Sequence, residues 1–189
     1  PAMMLAAVMP LPENMSELGF AGVLSGRRIG MIQQPGSLPL YDQADFCISG
    51  IVHPDKQLPE GPFGDHTGYY SPADPYPVFH LTAITHRQNP IYSTIVVGRP
   101  VQEDYYMGKA TERIFLPLLQ TIIPDIVDYD LPMFGAFHNC AFVKIKKEYP
   151  LQARRVMHAI WGAGQMAWTK YIIVVDEHVN VHDHEEVLF

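Results

Sequence analysis

The rhythm of apolar and polar positions changes near residue 100. Before it, apolar residues come in short, broken runs. Pro1 to Val8 is apolar and reads as extended chain, ending at Pro10. Ser16 then caps a short helix carrying Leu18, Phe20, Ala21 and Leu24, which stops near Gly26. β-compatible pieces follow at Ile29 to Ile32 and at Phe46 to Val52. Val78 to Arg87 alternates as a strand does, and Ile91 to Val97 reads as another strand after the turn at Gln88-Asn89-Pro90. Beyond Pro100 the period lengthens. Glu103 to Ile123 is helical, with Tyr106, Ala110, Ile114 and Leu118 along one face and Pro117 as an expected kink. Ala136 to Lys146 reads as a strand, Leu151 to Trp168 as a helix and Tyr171 to Asp176 as a short buried strand. The pattern predicts a mixed α/β chain, with a β-rich unit over residues 1–100 and an α+β unit over 101–189.

One stretch has no period at all. Residues Pro54 to Pro77 are rich in Gly, Pro, Asp and Tyr, and a loop of that length in a compact domain is commonly functional. Composition narrows what the function can be. The 189 residues are 48% hydrophobic and 17% charged, which is globular, and the net charge of -7 argues against non-specific nucleic-acid binding. Cys47 and Cys140 are too few for a disulfide framework, so a reducing cytoplasm is the expectation. No apolar run reaches the ~18 residues of a membrane helix. The chain starts without Met, and Asp183 to Phe189 reads as a helix just beginning; both lead us to expect a piece of a longer polypeptide.

Within the aperiodic stretch, Glu60-Gly61-Pro62-Phe63-Gly64-Asp65-His66-Thr67-Gly68-Tyr69-Tyr70 sets two carboxylates five residues apart around glycines and a proline. Such a loop suits a stiff turn that aims Glu60 and Asp65 into a common space, where different surroundings can split their pKa values. A solvated turn with incidental acids is the competing reading. His66 stands in the same loop, either to touch a ligand or to brace the turn.

The string from Glu60 to Tyr70 resembles the signature loop of the UbiD family of reversible decarboxylases. The likeness continues through Asn89-Pro90-Ile91-Tyr92, Val97-Gly98-Arg99-Pro100-Val101-Gln102-Glu103-Asp104 and Ile172 to Glu177, so it covers nearly the whole chain. It implies a split β-barrel of flavin-reductase type over residues 1–100, then part of an α+β oligomerisation domain. It also implies non-oxidative loss of carbon dioxide from an aromatic or α,β-unsaturated acid with prenylated FMN, Mn2+ and K+, in quinone biosynthesis or aromatic acid metabolism. Glu60 and Asp65 match the family's carboxylates beside the cofactor, with Asp65 as the group that protonates carbon. Glu17, in Ser16-Glu17-Leu18-Gly19-Phe20, matches a manganese ligand, and Ala6, Ala7, Met9 and Pro10 match a segment whose backbone lies against flavin and potassium. The resemblance further implies an amino-terminal domain, absent from this chain, that supplies the catalytic Arg and the Asn and His metal ligands. A homodimer or hexamer is the expected assembly.

Carbon dioxide loss from such an acid needs an electron sink, and no Lys or phosphate-cradling glycine motif here supplies one, so a cofactor must. Two readings compete with the enzyme: a non-catalytic flavin-binding or assembly module, and a metal-binding protein built on His178, His182, His184 and Asp183. Helix-start polarity explains the histidine cluster as well.

Overall fold

The structure is a computed structural model that describes residues 1–33 and 35–189. In chain order it contains helices α1 (Ala2–Val8) and α2 (Glu17–Ser25), then short strands β1 (Met31–Ile32) and β2 (Leu40–Tyr41). Two long strands follow, β3 (Phe46–Glu60) and β4 (Asp74–His86). The second half contains α3 (Glu103–Ile122), β5 (Ile126–Asp130), β6 (Cys140–Ile145), α4 (Gln152–Trp161), β7 (Tyr171–Asp176) and α5 (His184–Leu188).

Residues 101–189 fold around a three-stranded sheet in the order β5-β6-β7. β5 runs antiparallel to β6, and β6 runs parallel to β7. A parallel pair needs a crossover, and α4 provides it. Phe142, Val143, Val156 and Ile160 are fully buried here, and Phe115 and Leu119 of α3 close the core. Met9, Leu11 and Phe20 pack against the same cluster, so the first two helices lean on the second unit.

Residues 1–100 look different. β1 and β2 form one antiparallel ribbon, and β3 and β4 form another. Among the described residues these are two separate two-stranded sheets and no closed barrel. The expected mixed α/β class holds, while the expected split barrel is not closed by the described residues.

Several elements depart from the sequence expectation. Pro1 to Pro10 is not extended; Ala, Met and Leu are strong helix formers, and they wind into α1. The aperiodic stretch is shorter than its composition suggests, because β3 runs on to Glu60 and β4 starts at Asp74. Its prolines are tolerated because each strand of a two-stranded ribbon has a free edge. Residues 91–97 form no strand, and Ile91 instead donates its N–H to Asp45 Oδ1. α3 runs through Pro117, and its buried positions are Asp104, Glu112, Phe115 and Leu119, one step round from the expected face. The expected helix to Trp168 ends at Trp161, where Gly162 caps it, and a 3-10 turn covers Gly164–Trp168. α2 and the bounds of β7 match the expectation, α2 with Ser16 and Gly26 at its ends, but β7 is half-buried rather than buried.

Candidate active site

The loop from Gly61 to Ala73 connects the far ends of β3 and β4, where Glu60 faces Asp74 across the ribbon. It folds back on itself. Gly64 and Tyr70 form a bridge, the Asp65 N–H donates to the Tyr69 carbonyl at 2.9 Å, and the Gly68 N–H donates to the Asp65 carbonyl at 3.0 Å. Gly68 takes φ +89, and a Cβ there would collide with Cγ and Cδ of Arg99. The turn therefore needs glycine twice over, for its backbone and for the arginine stem lying against it.

This folding gives the Asp65 carboxylate a donor for each oxygen. Thr67 Oγ1 donates to Oδ2 at 2.6 Å, and His66 Nδ1 lies 2.9 Å from Oδ1. The Thr67 hydroxyl first, then its N–H and the neighbouring His66, hold Asp65 below the usual carboxylate range against a modest burial penalty. His66 thus braces the turn. Its other nitrogen, Nε2, lies 2.6 Å from Nε2 of His138, 72 residues away. Beside this chain of groups opens a cleft of about 1170 Å³. His66, Thr67, Tyr69, Arg99, Lys170 and Ile173 are among the residues that line it. An apolar cleft of this size with a few cationic groups suits a small organic anion.

The structure places the other expected site residues as follows. Glu60 ends β3 with an exposed side chain and no hydrogen-bond or ion-pair partner among the described residues. It shares the loop with Asp65 but no hydrogen bond joins them. Glu17 is exposed in the first turn of α2, and it belongs to no group of three or more candidate metal ligands among the described residues. These residues thus offer a metal one carboxylate rather than a site. Ala6 and Ala7 sit in the last turn of α1, where carbonyls lack intrahelical donors, and Met9 and Pro10 follow in extended chain. Ala6 and Met9 are buried and the Met9 carbonyl accepts from the Leu11 N–H, so of these four Ala7 and Pro10 are the ones open to a ligand.

The terminal histidines serve a different arrangement. Glu112 is fully buried and accepts from Lys109 Nζ at 2.9 Å, from Arg113 Nη2 at 2.7 Å and from the Leu131 N–H at 2.6 Å. Asp130 accepts from Lys109, lies 3.0 Å from His182 Nδ1 and lies 2.9 Å from His184 Nε2. Glu112, Asp130 and His182 stand close enough to hold a metal, but the Lys109 ammonium already binds both carboxylates. Asp183 caps α5, as helix-start polarity requires.

Sequence reasoning missed Thr67 and His138. The Asp-His-Thr spacing carries a local signal, because a side-chain acid often binds groups two residues on. His138 carries none.

Comparison with known proteins identifies the family. Residues 1–100 match the 3-octaprenyl-4-hydroxybenzoate carboxy-lyase Rift-related domain, and residues 105–189 match the C-terminal domain of the same carboxy-lyase. An uncharacterised protein of Archaeoglobus fulgidus is 53% identical over the whole chain, which covers 40% of that relative. The chain spans about 40% of the length of the curated relatives it matches. Among solved structures, HmfF from Pelotomaculum thermopropionicum, a UbiD-class enzyme in complex with prFMN, is 29% identical with a TM-score of 0.83. The match covers 100% of this chain and 44% of HmfF. The closed form of Sedimentibacter hydroxybenzoicus vanillic acid decarboxylase is 26% identical with a TM-score of 0.87, covering 97% of this chain and 39% of the enzyme.

Proposed function

This chain belongs to the UbiD family of carboxy-lyases, and from that premise we propose that its protein removes carbon dioxide non-oxidatively from an aromatic or α,β-unsaturated carboxylic acid. The observation that carries the reading is the Asp65 carboxylate, built into a folded loop beside an apolar cleft with cationic groups on its walls. Arg99 and Lys170 suit the carboxylate of such a substrate, and the exposed Tyr69 suits its ring.

Prenylated FMN, when bound, would supply the electron sink for the pair of electrons left by the departing carboxylate. Glu60 and the backbone of Ala7 and Pro10 would face it, with Ala6 and Met9 packed behind them. The exposed, unpaired state of Glu60 supports this, since a carboxylate without an internal partner is free to orient a ligand. Glu17 would give manganese one ligand and the last-turn carbonyls of α1 would suit potassium; the remaining metal ligands would come from chain outside these residues. Asp65 takes up a proton from water in the cleft and delivers it to the substrate carbon. Each turnover consumes that one proton and leaves the carboxylate as it began.

The same premise completes the fold. Ile48, Ile51, Leu81 and Ile84 are exposed on the β3–β4 ribbon, and they would become interior in a split β-barrel closed by further chain. Residues 101–189 would carry the contacts of a dimer or hexamer. Substitution of Asp65 by Asn in the complete enzyme tests the reading. Turnover should vanish while flavin absorbance stays bound to the protein; full activity of D65N would refute the role.

A further inference from the structure

His138 reaches the Asp65 loop from the other half of the chain. It sits between the 3-10 turn Met133–Gly135 and β6, just after Ala136 and Phe137, whose φ angles are +48 and +52. Its ring stands 4.9 Å from the His66 ring and 5.2 Å from the Phe137 ring, and the Phe137 ring also touches His66 at 5.4 Å. The 2.6 Å approach of the two Nε2 atoms is a hydrogen bond, so one nitrogen carries a proton and the other a lone pair.

The rest of the network decides which. An ionised carboxylate only accepts, so His66 Nδ1, at 2.9 Å from Asp65 Oδ1, carries a proton. A neutral His66 then has a lone pair on Nε2, and His138 must be the donor. His138 Nδ1 is left as a bare acceptor, and it is indeed a buried atom without a partner. The reverse arrangement makes His66 an imidazolium and puts an unpaired N–H on His138 Nδ1, which is the costlier orphan. Burial, then the neighbouring His66, pushes His138 below the usual imidazole range; Lys170 adds to this and Asp65 opposes it. His138 is therefore the neutral donor at neutral pH.

We propose that His138 is a positioning residue for Asp65: it locks His66 in the Nδ1–H tautomer and so ties the orientation of the carboxylate to the seating of the second unit on the loop. The four ionisable groups involved are Asp65, His66, His138 and Lys170. No proton leaves the histidine pair during turnover; the pair holds the geometry while water supplies the proton that Asp65 transfers. The catalytic part rests on the decarboxylase reading, whereas the tautomer lock stands on the contacts alone.

Histidine labelled with 15N in the 189-residue chain gives the first test. Two-bond nitrogen–proton correlations at pH 7 should show His66 protonated on Nδ1 and bare on Nε2. His138→Phe removes the donor and should release His66 to the Nε2–H or mixed form, and His138→Gln, whose amide can donate, should restore the lock. In the complete enzyme with flavin, H138F should lower kcat roughly tenfold, a part of the ~10²–10⁴ that a positioned acid supplies, with KM changed less than ~2-fold. The alkaline limb of its pH profile, which reports the proton donor, should move to higher pH, because Asp65 loses one donor to its charged form. A wild-type His66 protonated on Nε2 overturns the proposal, and that measurement needs no variant to fold. An unchanged His66 tautomer in H138F, or an unmoved alkaline limb, overturns it as well. Should the complete enzyme not decarboxylate at all, the decarboxylase reading fails and the tautomer measurements alone decide the lock.

Discussion

The β3–β4 ribbon and the β5-β6-β7 sheet are built from similar residues, yet they stand in opposite surroundings. Every residue of β6 except Lys144 is buried, whereas in β3 only Cys47 escapes full exposure. Alternation of apolar and polar residues predicts a half-buried strand, and both regions carry apolar residues enough for one. The difference lies in what covers them. α3 and α4 close over the three-stranded sheet, while the ribbon has neither face covered by the described residues. Apolar burial stabilises by roughly 25 cal/mol per Å², and a two-stranded ribbon alone is marginal. The second unit thus carries its own core, and the ribbon is a part that awaits a cover.

Truncating one phenylalanine on each side gives the sharpest contrast. Phe142→Ala empties a fully buried site and should cost about 3–5 kcal/mol in a urea melt. Phe79→Ala, at 47% exposed, should cost within about 0.5 kcal/mol in the same chain. Equal costs would break the comparison.

The buried charges of the second unit come next. Glu112 neutralises Lys109 and Arg113, which are themselves 26% and 38% exposed. Glu112→Gln should therefore cost about 2 kcal/mol, less than the ~3–5 of a fully buried pair, because the cations keep part of their hydration. Lys109→Met in the same background should deepen the loss, because the buried Asp130 then loses its ammonium partner as well, as a double-mutant cycle would read.

Acid sharpens the same contrast more gently. Burial raises the carboxyls of Asp125, Asp128 and Asp130, but their partners win and hold all three below the usual range. Gln152 and Arg155 act on Asp125, Arg113 and His182 on Asp128, and Lys109 with both histidines on Asp130. A carboxyl whose folded pKa is depressed gives its full stabilisation above its unfolded pKa of about 4 and loses it as pH falls through the folded one. These three carboxylates should thus leave the urea midpoint level from pH 7 to about 5 and pull it down below about 4. Trp161 and Trp168 are the chain's 2 tryptophans and both lie in the second unit, so fluorescence reports it directly. Asp130→Asn should flatten the fall.

What the sequence revealed follows from the same physics. α2 was legible because its stop signals are local: Ser16 accepts from Gly19 N–H, and Gly26 takes φ +66. β7 was legible because Ile172 to Val175 is one unbroken apolar run. β5 was not, since Asp128 and Asp130 look like solvent-facing residues until Arg113, Lys109 and the terminal histidines are seen beside them. At the candidate site, the loop and its Asp65 stood out by composition. His138 meets His66 from 72 residues away, and no periodicity reports such a meeting.

The loop offers the smallest and most local test, because it touches both regions at once. Gly68→Ala meets two penalties, a left-handed backbone at φ +89 and collision with the Arg99 stem. Gly26→Ala meets only the first, since its φ of +66 comes with open space around the missing Cβ. Both should lose about 1 kcal/mol from backbone strain. The excess at Gly68 then measures the arginine contact, and Arg99→Ala should remove that excess without touching Gly26→Ala. Because Arg99 can swing its stem aside, the excess should stay below about 1 kcal/mol. Amide exchange at Asp65 and Ser71, whose N–H groups bond within the turn, should quicken in G68A and recover in G68A/R99A. If exchange there is as fast in the unaltered chain as in the variant, the turn is held by nothing that glycine protects, and Asp65 has no fixed bearing on the cleft.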